Sequence, residues 1–183
     1  MKYKTLFSVL LSLSTLACSS LPTATEPANR FLAQKQTVID TSSDLMWSRC
    51  LLGASWNGTT CEGRPTQYGW QEIHDVVKTL NYAGYSDWRV PTLEELKSLA
   101  VSKSSPPELE KFYLDNQIFP IPNCQGKQTG AGLNSNGHIC WHWTDSPIEG
   151  SKHYAWILYF GYGYGSANYE ADTFPLRLVR NAD

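Results

Sequence analysis

Two histidines and a cysteine in the C-terminal part of the chain have the spacing of a metal site. His138, Cys140 and His142 alternate, so in a strand their side chains point to one face, and imidazole nitrogen and thiolate sulfur are ligands that zinc prefers. In an exported chain, however, a cysteine with a second cysteine nearby is usually disulfide-bonded and lost as a ligand. Because Cys124 is available to Cys140, we expect neither a metal nor another cofactor.

The patterns of common catalytic sites are not recognisable in this sequence. It contains no nucleophile-elbow glycine pattern, no H-E-x-x-H and no glycine-rich phosphate loop at a helix start. Cys140, His142 and Asp145 lie close in sequence, but neighbours along a strand do not have the geometry of a catalytic triad. We therefore expect a protein that is not an enzyme.

Aromatic and small polar residues are concentrated in the last strands, and this composition is typical of recognition surfaces. Tyrosine offers a large contact area at low entropic cost, while serine, asparagine and glycine adapt their hydrogen bonds. Alternate residues of Tyr154 to Tyr162 must face inward, and we expect Trp156 and Leu158 to be buried. The predicted ligand-binding residues are Tyr162, Tyr164, Tyr169, Trp141, Asn168, Ser166 and His153.

The N-terminus has the features of a bacterial lipoprotein signal. Lys2 and Lys4 precede an apolar run, Thr5 to Ala17, that is too short to span a bilayer. The run ends at Cys18, which we predict to be lipidated, although an ordinary cleaved signal with an incidental cysteine is the alternative. Ser19 follows in place of the aspartate that often marks inner-membrane retention. The sequence thus predicts a signal peptide over 1–17, a flexible tether over 18–35, a single domain over 36–183 and an outer-membrane lipoprotein facing the periplasm or the surface.

Charge and cysteine content agree with export. Removal of Lys2 and Lys4 leaves 13 basic and 17 acidic residues, a net charge of −4, which argues against a nucleic-acid partner. Beyond Cys18 the chain has four cysteines, and three pairings are possible. We favour the two local pairs because each closes a loop too polar to fold by burial: Cys50–Cys61 and Cys124–Cys140.

Hydrophobic periodicity predicts an α+β domain with two main helices, short antiparallel sheets and long loops held by disulfides. Trp70, Ile73 and Val77 form one face of the better helix. The predicted helices are Gln67 to Tyr82 and Leu93 to Val101, with a helical turn within 108–119. The predicted strands are Thr37–Asp40, Asp44–Trp47, Ile139 to Thr144, Tyr154 to Tyr162 and Phe174 to Arg180, with a hairpin loop over Gly161 to Gly165.

The stretch Tyr85 to Leu96 combines an extended segment, a proline and a helix start. Trp88 and Val90 alternate with charged residues, as in a half-buried strand. Thr92 and Glu95 have the spacing of a capping box, in which each side chain accepts from the other residue's amide. We expect Asp87, Arg89 and Glu94 or Glu95 to form a charge network at this corner.

This stretch also carries a resemblance to a known family. Asp87-Trp88-Arg89-Val90-Pro91-Thr92 with Glu95-Leu96 resembles the D-W-R-[LV]-P-T-x-x-E-L pattern of the Lcl C-terminal domain family, named after the Legionella collagen-like protein. Three further segments resemble family strands in the same order: Asp44-Leu45-Met46-Trp47-Ser48, with Ser43 in place of the usual glycine, Trp141-His142-Trp143-Thr144, and Leu176-Arg177-Leu178-Val179-Arg180. The similarity extends from about Val38 to Asn181 and implies a C-type-lectin-like fold. The Glu-Pro-Asn and Trp-Asn-Asp elements with which C-type lectins bind calcium are missing from the matching positions, so calcium is not expected.

Together these features predict a non-catalytic envelope lipoprotein that recognises a polysaccharide or an envelope protein, as in adhesion. One alternative is a structural or assembly subunit of an envelope machine. A second is an enzyme related to the sulfatase-modifying branch of the same fold, which would need reactive thiols. The sequence leaves the ligand and the oligomeric state open.

Overall fold

The computed structural model describes residues 30–102, 112–121, 140–160 and 164–182. Within these ranges the chain forms thirteen short strands and two helices. The elements are β1 (Phe31–Gln34), β2 (Thr37–Asp40), β3 (Leu45–Ser48), β4 (Ser55–Trp56), β5 (Cys61–Glu62), β6 (Gln67–Gly69), α1 (Trp70–Thr79), α2 (Leu93–Ser98), β7 (Ala100–Ser102), β8 (Phe112–Leu114), β9 (Trp141–Pro147), β10 (Tyr154–Tyr159), β11 (Tyr164–Tyr169), β12 (Thr173–Pro175) and β13 (Val179–Asn181). This is an α+β arrangement of small antiparallel sheets.

The largest sheet brings the two ends of the described chain together. Its four antiparallel strands lie in the order β1-β2-β3-β13. Trp47 pairs with Val38 on one side and with Val179 on the other, and all three side chains are fully buried. Because directly paired residues share a face of the sheet, this row forms the floor of one hydrophobic core.

Strand β1 lies within residues 18–35, the segment that the sequence predicts as a tether. Phe31 packs edge-on against the ring of Phe119, and Arg30 forms a salt bridge with the buried Asp40. These two anchors give the strand tertiary contacts that its weak hydrophobic pattern does not reveal. Residues 31–34 therefore belong to the sheet, although they precede the domain boundary that the sequence predicts after residue 35.

The second sheet has three antiparallel strands in the order β11-β10-β9. Its central strand β10 is covered on both faces: Leu158 contacts the core that contains Leu96 and Leu99, while Ala155 and Ile157 contact a second core around Trp143. The prediction that only one alternate set faces inward is therefore wrong. Leu158 is fully buried as expected, but Trp156 is only half-buried.

Both helices are shorter than predicted. A strand, β6, occupies the predicted start of the first helix, and another, β7, occupies the predicted end of the second. Residues 67–69 form β6, which pairs with β12, and α1 then runs for ten residues. The six-residue α2 ends before β7, which pairs with β8, so residues 112–114 form a strand instead of the predicted helical turn. None of the helices in the described parts of the chain is long and apolar enough to cross a membrane.

The C-terminal segment is divided between two sheets. The sequence predicts one strand from Phe174 to Arg180, but β12 pairs with β6 and β13 pairs with β3. Pro175 ends β12, since proline cannot donate a ladder hydrogen bond. The predicted strand around Trp88 is likewise replaced by a single bridge between Arg89 and Val179, although Trp88 and Val90 are buried as their alternation indicates.

Candidate ligand-binding site

Two of the predicted ligand-binding residues, His153 and Tyr169, meet at the open end of the β10–β11 hairpin. Tyr169 pairs with Tyr154 across the hairpin, their rings lie edge-on with centroids 5.7 Å apart, and the His153 ring lies 6.1 Å from that of Tyr169. Tyr154 is 48% exposed and Tyr169 45%. We call His153, Tyr154 and Tyr169 the hairpin-end cluster.

The polar residues predicted to accompany these aromatic rings lie on the other face of the sheet. Asn168 pairs with Ala155, and Ser166 pairs with Ile157, so both share the face of the Trp143 core. Tyr169, one position after Asn168, points to the opposite face because side chains alternate along a strand. The predicted surface is therefore divided by the sheet.

Trp141 and Tyr164 lie at the far end of the hairpin. Both flank Tyr159, and the rings of Trp141 and Tyr159 are 4.6 Å apart. Five residues of strand, about 16 Å, separate Tyr164 from Tyr169. The side chain of Tyr164 and the whole of Tyr162 lie outside the described residues.

Cys140, His142 and Asp145, the residues considered for a metal site or a catalytic triad, each make separate contacts with other parts of the chain. Cys140 is disulfide-bonded, and the fully buried His142 packs with its ring 4.9 Å from that of Phe160. Asp145 instead faces His74, with 3.7 Å between Oδ1 and Nε2. In the described ranges no group of three or more His, Cys, Asp or Glu side chains is placed to hold a metal ion. His138 lies outside these ranges.

Cys50 and Cys61 form a disulfide, the first of the two expected local pairs. The partner of Cys140 lies outside the described residues, as do Cys124 and the predicted lipidation site Cys18. The disulfide closes a short loop that contains β4 and ends at the first residue of β5, and Asn57 orders its tip by accepting from the amides of Thr59 and Thr60 at 2.8 Å.

The residues of the Tyr85 to Leu96 stretch have structural roles. The capping box is confirmed: Thr92 accepts from the Glu95 amide, and Glu95 accepts from the Thr92 amide. Arg89 pairs with Glu95, whereas Asp87 pairs with Arg180, so the expected single charge network is two separate ion pairs. Pro91 is buried, and its carbonyl accepts from the Asp145 amide, which joins α2 to β9.

Arg177, in the closing segment, is fully buried without a carboxylate partner among the described residues. Its Nη1 donates to the carbonyls of Ser48 and Arg49, and its guanidinium lies 5.0 Å from the centre of the Phe119 ring. Burial lowers the pKa of Arg177 to about 9. These contacts tie the closing segment to β3, so Arg177 supports the fold from inside.

A cleft of about 700 Å³, which the sequence does not predict, lies beside the large sheet. It is bounded by the β1–β2 turn, the disulfide loop and the turn from Tyr82 to Tyr85. The described residues that line it are Gln34, Lys35, Gln36, Thr37, Trp56, Asn57, Gly58, Ala83 and Tyr85. The only sequence signal was Trp56 beside Asn57-Gly58, since the other walls come from distant parts of the chain.

The comparison with known proteins agrees with the motifs. The model of the Lcl C-terminal domain matches residues 36–180, which is most of the chain. No curated protein matches the chain. The matched range includes β2 to β12 and the Arg89–Glu95 and Asp87–Arg180 pairs. The chain therefore belongs to the Lcl C-terminal domain family.

Proposed function

We propose that this protein is a non-catalytic envelope lipoprotein that recognises a polysaccharide through the hairpin-end cluster. The observation that carries the proposal is the exposure of Tyr154 and Tyr169, two of the three large hydrophobic side chains that are exposed in the described parts of the chain. Aromatic rings left in water at neighbouring positions offer stacking faces for sugar rings, and hydroxyl groups for hydrogen bonds.

The hairpin-end cluster is held by its surroundings. Ser151 Oγ accepts from the amides of His153 and Tyr154, and the His153 carbonyl accepts from the Glu170 amide at 2.9 Å. The backbone on both strands is thus fixed next to the rings. A rigid aromatic pair loses little entropy when it binds, which favours recognition.

The cellular setting belongs to the same proposal. Lipidation at Cys18 would attach the chain to the outer membrane, and the domain would face the periplasm or the surface. We further propose a C-type-lectin-like arrangement, for which the family membership and the small antiparallel sheets are the support. No cofactor is part of this function.

A glycan array and a pull-down from envelope extract test the proposal with the chain from Ser19 onward. We expect saccharide binding that the double variant Tyr154→Ala/Tyr169→Ala loses. Leu32→Ala is the matched control, because Leu32 is equally exposed at 45% but lies on β1. This location would be contradicted if the double variant kept the binding of every polysaccharide that the natural chain binds.

The alternative of an assembly subunit has one observation in its favour. Strand β1 is an edge of the four-stranded sheet, and its exposed Leu32 accompanies backbone groups that could pair with another chain. Recovery of one envelope protein, lost with Leu32→Ala and retained with the tyrosine variant, would favour this function over saccharide recognition.

A further inference from the structure

We propose that the cleft lined by Trp56 and Tyr85 is a second binding site, which takes a short uncharged saccharide. Its volume of about 700 Å³ falls within the usual range of small-molecule sites, roughly 300–1,000 Å³. It is formed by β1, β2, the disulfide loop and the Tyr82–Tyr85 turn, so it is separate from the hairpin-end cluster and does not depend on that cluster's function.

One backbone carbonyl ties the walls of the cleft together. The Gln36 carbonyl accepts from the Arg49 amide at 2.9 Å and from the Tyr82 hydroxyl at 3.1 Å. Gln36 belongs to the β1–β2 turn, Arg49 immediately precedes the disulfide at Cys50, and Tyr82 begins the third wall. The cleft is thus preorganised, so a ligand would not have to order it on binding.

The Trp56 ring is fixed in a defined orientation. The Arg49 guanidinium lies 3.4 Å from the centre of the ring, and its Nη2 donates to the Gln117 carbonyl. Arg49 precedes Cys50 in the chain, and Trp56 pairs with Cys61. The Cys50–Cys61 disulfide therefore links the segment that carries the arginine to the strand next to the tryptophan. Since the guanidinium occupies one face of the indole, a ligand can stack only on the opposite face.

Tyr85 is fixed in a similar way. The Arg180 guanidinium lies 4.1 Å from the centre of its ring, and Arg180 is paired with Asp87 at 2.7 Å. The Tyr82–Tyr85 turn is closed by two backbone hydrogen bonds of 3.0 and 3.1 Å. At its tip, Ala83 and Gly84 have φ values of 53° and 88°, and positive φ at both central residues is typical of a tight two-residue hairpin turn.

The polar groups of the cleft favour an uncharged ligand. Among the described residues that line it, Lys35 is the only charged one, and it is exposed at the tip of a turn. The arginines behind the two rings are engaged by Gln117 and by Asp87. The side-chain amides of Gln34 and Gln36 can donate to and accept from hydroxyl groups. Aromatic faces beside neutral amides fit the apolar faces and hydroxyl edges of a sugar.

Titration calorimetry and saturation-transfer NMR on the chain from Ser19 onward test this, with chitotriose, cellotriose and maltotriose as probes and trigalacturonic acid as the charged counterpart. We expect at least one uncharged trisaccharide to bind, with an affinity that does not change between low and high salt. Trp56→Ala should weaken that binding at least about tenfold. Trp56→Phe, which keeps an aromatic face, should weaken it less, and Gln36→Ala, which keeps the carbonyl, should weaken it moderately.

Two controls accompany the Trp56 variants. Glu94→Gln, at an exposed side chain on α2 that belongs to neither proposed site, should leave trisaccharide binding unchanged, and near-ultraviolet circular dichroism should show that the Trp56 variants are folded. The proposal is overturned if none of the three uncharged probes binds, if folded Trp56→Ala binds as the natural chain does, or if trigalacturonic acid binds more tightly than they do and loses affinity in salt.

Discussion

The carboxylate of Glu95 joins the helix α2 to Arg89 of the preceding segment. Its two oxygens accept from Arg89 Nη1 and Nη2 at 2.7 and 2.6 Å, and Oε2 also accepts from the Thr92 amide at 2.8 Å. One side chain therefore completes the capping box and fixes an arginine that bridges to Val179. This explains the spacing of Arg89, Thr92 and Glu95 in the D-W-R-V-P-T-x-x-E-L pattern, because one carboxylate must reach both other residues.

Glu95 should contribute to stability in a pH-dependent way. Hydrogen bonding to Arg89 lowers the pKa of Glu95 below its ordinary value, against the opposing effect of burial. A lowered pKa means that its contribution is complete above the unfolded value of about 4.3 and is lost as the pH falls through the folded value. At pH 7, Glu95→Gln should lower the free energy of unfolding by about 1 kcal/mol, and by less in acid.

Urea unfolding at pH 7 and at pH 3 measures this difference. The matched control is Glu94→Gln, because Glu94 lies on the same helix turn but is 80% exposed in its pair with Lys97. Exposed pairs of this kind contribute little. An equal loss for Glu95→Gln at both pH values would show that its charge is not involved.

Arg30→Ala should destabilise the domain by about 3 kcal/mol, because it leaves the fully buried Asp40 carboxylate without its cation. Burial raises the pKa of Asp40, but hydrogen bonds from Arg30 and Ser42 outweigh this and lower it. Chemical unfolding at neutral pH measures the effect. Lys35→Ala, which removes an exposed cation from the same hairpin, should change stability by less than about 0.5 kcal/mol.

A chain that begins at Lys35 should be destabilised as well, since it lacks both Arg30 and β1. If it unfolds at the same urea concentration as the chain that begins at Ser19, β1 does not contribute to the stability of the sheet.

Loss of the Cys50–Cys61 disulfide should lower the free energy of unfolding by about 3 kcal/mol, because the closed loop restricts the unfolded chain. Cys50→Ser/Cys61→Ser, unfolded in urea with Cys140 left oxidised, measures this. Thermal unfolding of the natural protein and of the double variant gives a second measure of the same loss of stability. A loss below about 1 kcal/mol would mean that the tip, held by Asn57, orders the loop without the covalent link.

Ala83→Gly should stabilise the protein by up to about 1 kcal/mol, because glycine adopts the left-handed conformation without the steric cost that alanine has. Ala33→Gly is the opposite control: Ala33 lies in the exposed strand β1, where glycine should destabilise by about 0.5–1 kcal/mol. Differential scanning calorimetry distinguishes the two signs. Destabilisation by Ala83→Gly would indicate that the methyl group makes a contact worth more than the backbone strain.

Features written in short stretches of sequence could be predicted. The Thr92–Glu95 box and the strand Thr37–Asp40 follow from spacings of two to four residues, and both are present. Strand β11 could not be predicted because its residues Gly165, Ser166 and Ala167 have little strand propensity and are held by pairing with β10.

The candidate sites illustrate the same limit. Alternation along β11 places Tyr169 and Asn168 on opposite faces, so the composition of a segment overstated what one surface can contain. The cleft depends on Gln36, Trp56 and Tyr85, which are brought together by hydrogen bonds such as that from Tyr82 to Gln36. Contacts between distant segments leave no periodic signal in the sequence.

The Arg30–Asp40 pair has a mechanical consequence. Phe31 pairs with Asp40 at the open end of the β1–β2 hairpin, so a pulling force applied ahead of Arg30 would separate the two strands one residue pair at a time. The salt bridge stands at the first pair and must break before this unzipping can begin. If the domain is held at its N-terminus while it binds a ligand, the Arg30–Asp40 salt bridge would set the pulling force at which the domain begins to unfold.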